Sequence, residues 1–444
     1  LILSSLLLLV LSTERYDARS RVLLTRLCAE LGVSVQKLAE LEASTAASLL
    51  AAARHMSAEA ETASRADAAR AGRKWKWGIA SVAGAALIGV TGGLAAPLVA
   101  AGLSTVLGTV GLGATAAAGY LGALAGSGAL VGTLFGAYGG RMTGRMVEKY
   151  AAEVKDFSFV PVGGAEEEGE EGRRLRVAVG VTGWVVDAQE DVVAPWRCLG
   201  GHGVEAYALR WEVEAQQELG NALRTMLGAY VYGKVKGEII KRTVFATLYS
   251  ALWPLGLMKA AKLVDNPFSI AMRRSEKAGL VLADAIVNRA QGERPVTLVG
   301  FSLGARVVYT CLLELAERGA FGLVENVVLM GSPVPATKSA WERIRMVVSG
   351  RVVNVFSEQD YVLAFLYRTS SIQLGVAGLQ KIEVTGVENV DAGETVAGHL
   401  RYRFAVGGLL KDLLEGDIEV DEAAKQQDVL KILETEDEKK GDEK

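Results

Sequence analysis

Thr297-Leu298-Val299-Gly300-Phe301-Ser302-Leu303-Gly304-Ala305-Arg306 passes from an apolar, strand-like run into a helical one. Between the two lies G-x-S-x-G, the pattern of a nucleophile elbow. A sharp strand-to-helix turn leaves room only for small residues two before and two after its serine, and Gly300 and Gly304 meet that demand around Phe301 and Ser302. The helix that follows points free amides toward any negative charge developing at the serine.

A serine hydroxyl needs a base to attack a carbonyl. On sheets that carry such an elbow, the order along the chain is nucleophile, acid, histidine. His399 is the one histidine after Ser302, in Val396-Ala397-Gly398-His399-Leu400, beyond the last expected strand. The acid is expected after Val352–Phe356, where Asp360 is the first choice, Glu358 its near rival and Asp391 a weaker one. Such an acid would orient His399 and stabilise its imidazolium. Of the two amides an oxyanion hole needs, one is expected from Leu303. The other is expected from Gly183 or Trp184, in Val181-Thr182-Gly183-Trp184. Gly201-His202-Gly203 precedes a strand and reads as a turn, and His55, in an Ala-rich stretch, is assigned no chemistry.

Around the elbow, strand-like runs at Leu175–Val181, Val204–Leu209, Val296–Val299, Val324–Met330, Val352–Phe356 and Lys381–Val384 alternate with helical segments such as Arg274–Arg289 and Ala305–Glu317. That alternation implies an α/β fold with a mostly parallel sheet and helices on both faces, the α/β-hydrolase arrangement. Residues 151–414 form this domain. About 212–266 are expected to insert a cap, in which apolar Val244–Met258, preceded by Lys234, Lys236, Lys241 and Arg242, fits a lid or an interfacial helix.

Composition explains what precedes it. Of 444 residues, half are hydrophobic and 51 are glycine. The stretch from Trp77 to Gly140 holds no Asp, Glu, Lys, Arg or His, and 17 of those glycines fall in Gly78–Gly140. A bilayer core takes about 20 apolar residues per helix, so two spans fit. Gly128, Gly132, Gly136, Gly140 and Gly144 recur every fourth residue, a stripe that suits close helix contact in lipid. Arg73, Lys74, Trp75, Lys76 and Trp77 before the stretch, and Arg141, Arg145, Lys149 and Tyr150 after it, put both flanks on the cytosolic side. Residues 73–150 are therefore expected to be a Gly-rich transmembrane helical hairpin, with membrane contact through 78–140.

Residues 1–72 read as an N-terminal helical region. Val22, Leu23, Leu27, Leu31, Val35, Leu38, Leu41, Leu49 and Leu50 recur at helical spacing, and Gly32-Val33-Ser34 reads as a turn with Ser34 as an N-cap. The chain opens Leu1-Ile2-Leu3 without Met and is expected to be a fragment. Residues 415–444, with 12 acidic and 5 basic residues, read as a solvated acidic tail with one short helix near Val429–Leu433. The tail and the loop Ala165-Glu166-Glu167-Glu168 are candidate sites for protein partners. Three scattered Cys, three His and a charge of −3 give no disulfide framework, no His-rich metal site and no reason to expect nucleic acid.

Tyr16-Asp17-Ala18-Arg19-Ser20-Arg21, the Gly-rich hairpin, the elbow and Gly398-His399 together resemble the eukaryotic family of transmembrane and coiled-coil domain-containing protein 4, over about residues 1–410. The resemblance implies a membrane-bound α/β-hydrolase-like protein on a secretory-pathway membrane (endoplasmic reticulum or Golgi), with the sheet domain in the cytosol. The expected function is a serine esterase or lipase that forms an acyl-enzyme on lipid esters without metal or organic cofactor. The rival expectations are a catalytically weak hydrolase fold serving as a trafficking platform and, more weakly, a membrane-remodelling or pore-forming hairpin.

Overall fold

The computed structural model describes residues 2–51, 131–136, 154–162, 173–200, 203–233, 256–367, 375–396, 398–414 and 416–442. Most of the expected hairpin, His55, His202, the loop acids Glu166–Glu168, the basic run at Lys234–Arg242 and most of Val244–Met258 lie outside the described residues.

Seven strands form one sheet: β1 Ser158–Pro161, β2 Val177–Val181, β3 Glu205–Arg210, β4 Val296–Phe301, β5 Val324–Met330, β6 Val352–Phe356 and β7 Val387–Asp391. Their order is β1-β3-β2-β4-β5-β6-β7, with β1 antiparallel to β3 and every other pair parallel. Strands β2, β4 and β6 are buried along their whole lengths. That is why they read as predominantly apolar runs instead of alternating ones.

The helices are α1 Ile2–Leu11, α2 Ala18–Glu30, α3 at 35–51, α4 Val213–Gly233 and α5 Gly256–Val287, then α6 Leu303–Glu317, α7 Lys338–Val347, α8 Tyr361–Tyr367, α9 Tyr402–Lys411 and α10 Val420–Asp442. From β2 the chain winds one way to β3, and from β4 it winds the other way to β5 and β6. Right-handed crossovers in opposite directions place helices on opposite faces and open a crevice at the strand ends where the winding reverses, between β2 and β4. At the centre α5 and α6 touch closely, since a Cβ on Gly279 would lie 2.6 Å from the Val307 carbonyl oxygen.

The described N-terminal helices are joined to the sheet. Ser34 caps α3, accepting the Lys37 amide at 3.3 Å. Leu7, Leu11, Leu24, Leu38 and Leu49 build a second core with Leu134, Phe135 and Leu175. A buried ionic network ties this core to the sheet. Arg176 forks onto Glu325 of β5 (3.1 and 3.2 Å) and onto Asp417 (2.6 and 2.6 Å). Arg21 of α2 reaches both Glu325 (3.1 Å) and Glu42 of α3 (3.2 Å), and Tyr16 donates to Glu42. Burial alone would raise the Glu325 pKa, but Arg176 and Arg21 hold it below the usual carboxylate range.

Four expectations change. Lys381–Val384 is not a strand, and β7 begins three residues later at Val387. The Asn389 side chain takes both backbone groups of Ile382, accepting its N–H at 2.7 Å and donating to its carbonyl at 3.0 Å, in place of a ladder. The acidic tail contains a long helix, α10, docked by buried Ala423 and Leu430. Gln426 accepts the Gly407 amide (2.7 Å) and donates to the Pro195 carbonyl (3.0 Å). The first part of the expected cap, α4, buries Leu219 and Leu223 in the main core. Residues 131–136, within the expected hairpin, pack Val131, Leu134 and Phe135 into the N-terminal core, so Gly132 and Gly136 of the stripe belong to a segment held by protein. Among the described residues, no helix is long and apolar enough to cross a membrane.

Candidate active site

Ser302 stands where β4 becomes α6, with φ 54° and ψ −129°. A positive φ is costly for a residue with a Cβ and persists only where its surroundings enforce it. Here they do. The Ser302 amide donates to the Met330 carbonyl of β5 at 2.9 Å, and Phe301 stacks on Trp196 with centroids 5.7 Å apart. The two elbow glycines serve close approach. A Cβ on Gly300 would lie 2.8 Å from the Gly304 carbonyl, and one on Gly304 would fall within the Val181 carbonyl group.

The structure brings Ser302, His399 and Asp360 together. His399 Nε2 lies 2.7 Å from Ser302 Oγ, and His399 Nδ1 lies 2.6 Å from Asp360 Oδ2. With its Nδ1–H donated to the carboxylate, the ring presents Nε2 as the acceptor for the serine hydroxyl. All three side chains are buried. The other oxygen of Asp360 accepts the Leu363 amide at 3.0 Å, so the carboxylate also caps α8 and is fixed from two sides. Glu358, two residues before Asp360, is exposed, and Asp391 ends β7, where its carboxylate accepts the Gly393 amide at 2.9 Å. Of the three acids expected near this position, Asp360 is the one bonded to His399.

Leu303 opens α6, so its amide lies among those a helix start leaves without a carbonyl partner. Gly183 adjoins it: a Cβ there would lie 2.5 Å from the Leu303 nitrogen and 2.7 Å from Ser302 Cβ. The Thr182–Trp184 loop is held firmly. Trp196 Nε1 donates to Thr182 Oγ1 (2.9 Å) and Trp211 Nε1 to the Thr182 carbonyl (3.1 Å). Asp191 accepts the Val186 and Asp187 amides at 2.7 and 2.9 Å. Arg403, four residues after His399, forks onto Asp191, with one arm at 3.0 Å, and lies over the Trp184 ring, 5.3 Å from its centroid. Burial pushes the Asp191 carboxyl up, but Arg403 and the two amides outweigh it and hold its pKa low.

Neither Arg403 nor Asp191 belongs to a recognisable motif, and 212 positions separate them along the chain. Tyr402 is likewise without a signal in sequence. Its ring meets His399 edge-on at 5.9 Å and covers Gly331, and its hydroxyl has no hydrogen-bond partner among the described residues. Burial, followed by the charges of Asp360 and Asp391, raises its pKa well above the usual value and keeps it protonated.

The family model described as a protein of unknown function, DUF726, matches residues 70–414. An uncharacterized membrane protein of Schizosaccharomyces pombe is 46% identical over 419 residues, covering 93% of this chain and 71% of that protein. The rice transmembrane and coiled-coil domain-containing protein STS1 is 40% identical, over 90% of this chain and 61% of its own length. A Saccharomyces cerevisiae protein named probable lipase MIL1 is 34% identical over 303 residues, 66% of this chain and 27% of that protein. The chain thus spans from under a third to under three quarters of these relatives. No solved structure gives a significant match.

Proposed function

The chain belongs to the DUF726 family, and from that premise we propose that it is a membrane-anchored serine hydrolase of α/β-hydrolase fold that cleaves lipid esters. The observation that carries the reading is the relay from Asp360 to His399 to Ser302, with contacts of 2.6 and 2.7 Å at a strained elbow. Ser302 Oγ attacks the acyl carbonyl while His399 Nε2 takes its proton. Asp360 holds the imidazolium, and His399 then returns the proton to the leaving alcohol. The amides of Leu303 and of Gly183 or Trp184 receive the oxyanion. Water repeats the sequence on the acyl-enzyme and releases the acid.

The relative named probable lipase supports an ester substrate. The relatives named as membrane or transmembrane proteins support attachment to a membrane. With 131–136 held by the body, the uncharged residues 77–130 still suffice for two spans of about 20 residues each. The basic flanks put the body on the cytosolic side. The test is turnover of a panel of glycerides, phospholipids and short soluble esters by the full chain. Release of acid that is lost in Ser302→Ala and in His399→Ala is expected; no Ser302-dependent turnover on any ester would sink the reading.

A further inference from the structure

Val131–Phe135 tie the end of the uncharged run to one edge of the sheet. The Glu293 amide donates to the Thr133 carbonyl at 3.2 Å, and Arg294 lies over the Phe135 ring, 5.6 Å from its centroid. Arg173 donates to the Phe135 carbonyl. Glu293 and Arg294 lead into β4, and Arg173 leads toward β2, so this is the edge where the strands begin. Ser302 and Asp360 follow the ends of β4 and β6, and His399 follows β7, at the opposite edge. The six residues of β4 separate the two edges by about 20 Å.

The tether is shorter than that. Leu130 is bonded directly to Val131, and a span that stopped at Gly126-Ser127-Gly128 would leave a connection of at most about 14 Å. The strand-beginning edge also carries a surface suited to a bilayer boundary. A pocket of about 310 Å³ there is lined by Arg19, Leu23, Arg26 and Met346. Leu23 and Met346 are 55% and 67% exposed, and Ile2 and Leu9 of α1 are also exposed. Long basic side chains beside exposed apolar ones match the layer between headgroups and acyl chains.

We propose that α1, α2 and the strand-beginning edge of the sheet rest on the bilayer that holds the uncharged run. Ser302 therefore faces away from that bilayer, and its fatty-acyl ester comes from outside it, carried by a second membrane or dispersed in water. This rests on the anchored-hydrolase reading and names the side from which that site is served.

The test uses the full chain reconstituted in phosphatidylcholine–phosphatidylserine vesicles. Cys28, Cys198 and Cys311 are buried, so a thiol-reactive fluorophore reports Met346→Cys at one edge or Glu358→Cys at the other. Nitroxide-headgroup lipids in the same vesicles are expected to quench the label at 346 at least threefold more than the label at 358. Equal quenching, stronger quenching at 358, or quenching at neither overturns the placement. A fluorogenic acyl ester is then supplied either in the host vesicles or in separate ones. Ser302-dependent turnover at least tenfold faster from separate vesicles is expected, and equal or faster turnover from the host bilayer overturns the inference while leaving the hydrolase reading standing. No Ser302-dependent turnover in either arm, with the quenching contrast intact, overturns the hydrolase reading and the claim about substrate, but not the placement.

Discussion

Arg403→Met probes the join between the histidine segment and the Thr182–Trp184 loop, the proposed second side of the oxyanion hole. Arg403 forks onto Asp191 and covers Trp184, while Asp191 holds the Val186 and Asp187 amides. The substitution removes two charge-assisted hydrogen bonds, each worth about 1.5–3 kcal/mol, and leaves a buried carboxylate on two amides alone. Displacing one oxyanion donor costs about 10²–10³ in rate, so we expect reaction of Ser302 with a fluorophosphonate to slow about 10²-fold at pH 7. Arg403→Lys, which keeps the charge without the fork, should fall between the two. The effect on stability depends on pH. The folded-state pKa of Asp191 lies below its ordinary value, so its contribution is full at neutral pH and is lost as pH falls through the folded value. Without Arg403, burial raises that pKa, and the stability deficit of the variant should shrink as pH falls toward about 4. Stopped-flow labelling gives the rate, and urea denaturation from pH 7 to pH 4 gives the deficit. A labelling rate within threefold of wild type in a folded Arg403→Met protein would refute the reasoning.

Asp360→Asn should slow ester turnover about 10⁴-fold by presenting the wrong tautomer of His399, whereas Glu358→Gln and Asp391→Asn should stay within about threefold; an Asp360→Asn protein as active as those two would remove Asp360 from the relay. Gly304→Ala places a Cβ inside the Val181 backbone carbonyl, where no flexible side chain can yield. It should cost about 1–3 kcal/mol or more in a urea titration, and an unchanged midpoint would mean that the elbow does not pack as described. Arg176→Met removes the cation shared by Glu325 and Asp417 and should cost about 3–5 kcal/mol at pH 7. The loss should narrow in acid, because the lowered pKa of Glu325 contributes stability above the ordinary carboxylate range and loses it as pH falls. A loss below about 1 kcal/mol would show that the network contributes little.

The geometry of the candidate site is largely legible in sequence because its parts are local. Gly300, Ser302 and Gly304 encode a turn within five residues, and His399 needs only to be the one histidine downstream. Val324–Met330 and Val352–Phe356 read correctly because buried parallel strands are mostly apolar, even with Glu325, Asn326 and Asn354 inside them. The errors fall where distant residues decide. Ile382 looks like part of a strand until the Asn389 amide occupies its backbone. Arg21 reads as an ordinary basic residue of a helix until it meets Glu325, and nothing in the local pattern announces a partner so far along the chain. Arg403 and Asp191 are ordinary charged residues in sequence and become a clamp only when α9 packs beside the β2 loop. The tail looks solvated because its charge outweighs the few apolar side chains, Ala423 and Leu430, that dock it.

The central claim is that Ser302 is a nucleophile activated by His399. It is tested most directly by treating the full chain with a fluorophosphonate and mapping the adduct by peptide mass spectrometry. One adduct on Ser302 is expected in the wild type, with none in Ser302→Ala and a rate at least 10³-fold lower in His399→Ala. An unmodified Ser302 in folded protein, or a labelling rate indifferent to His399, would contradict the account.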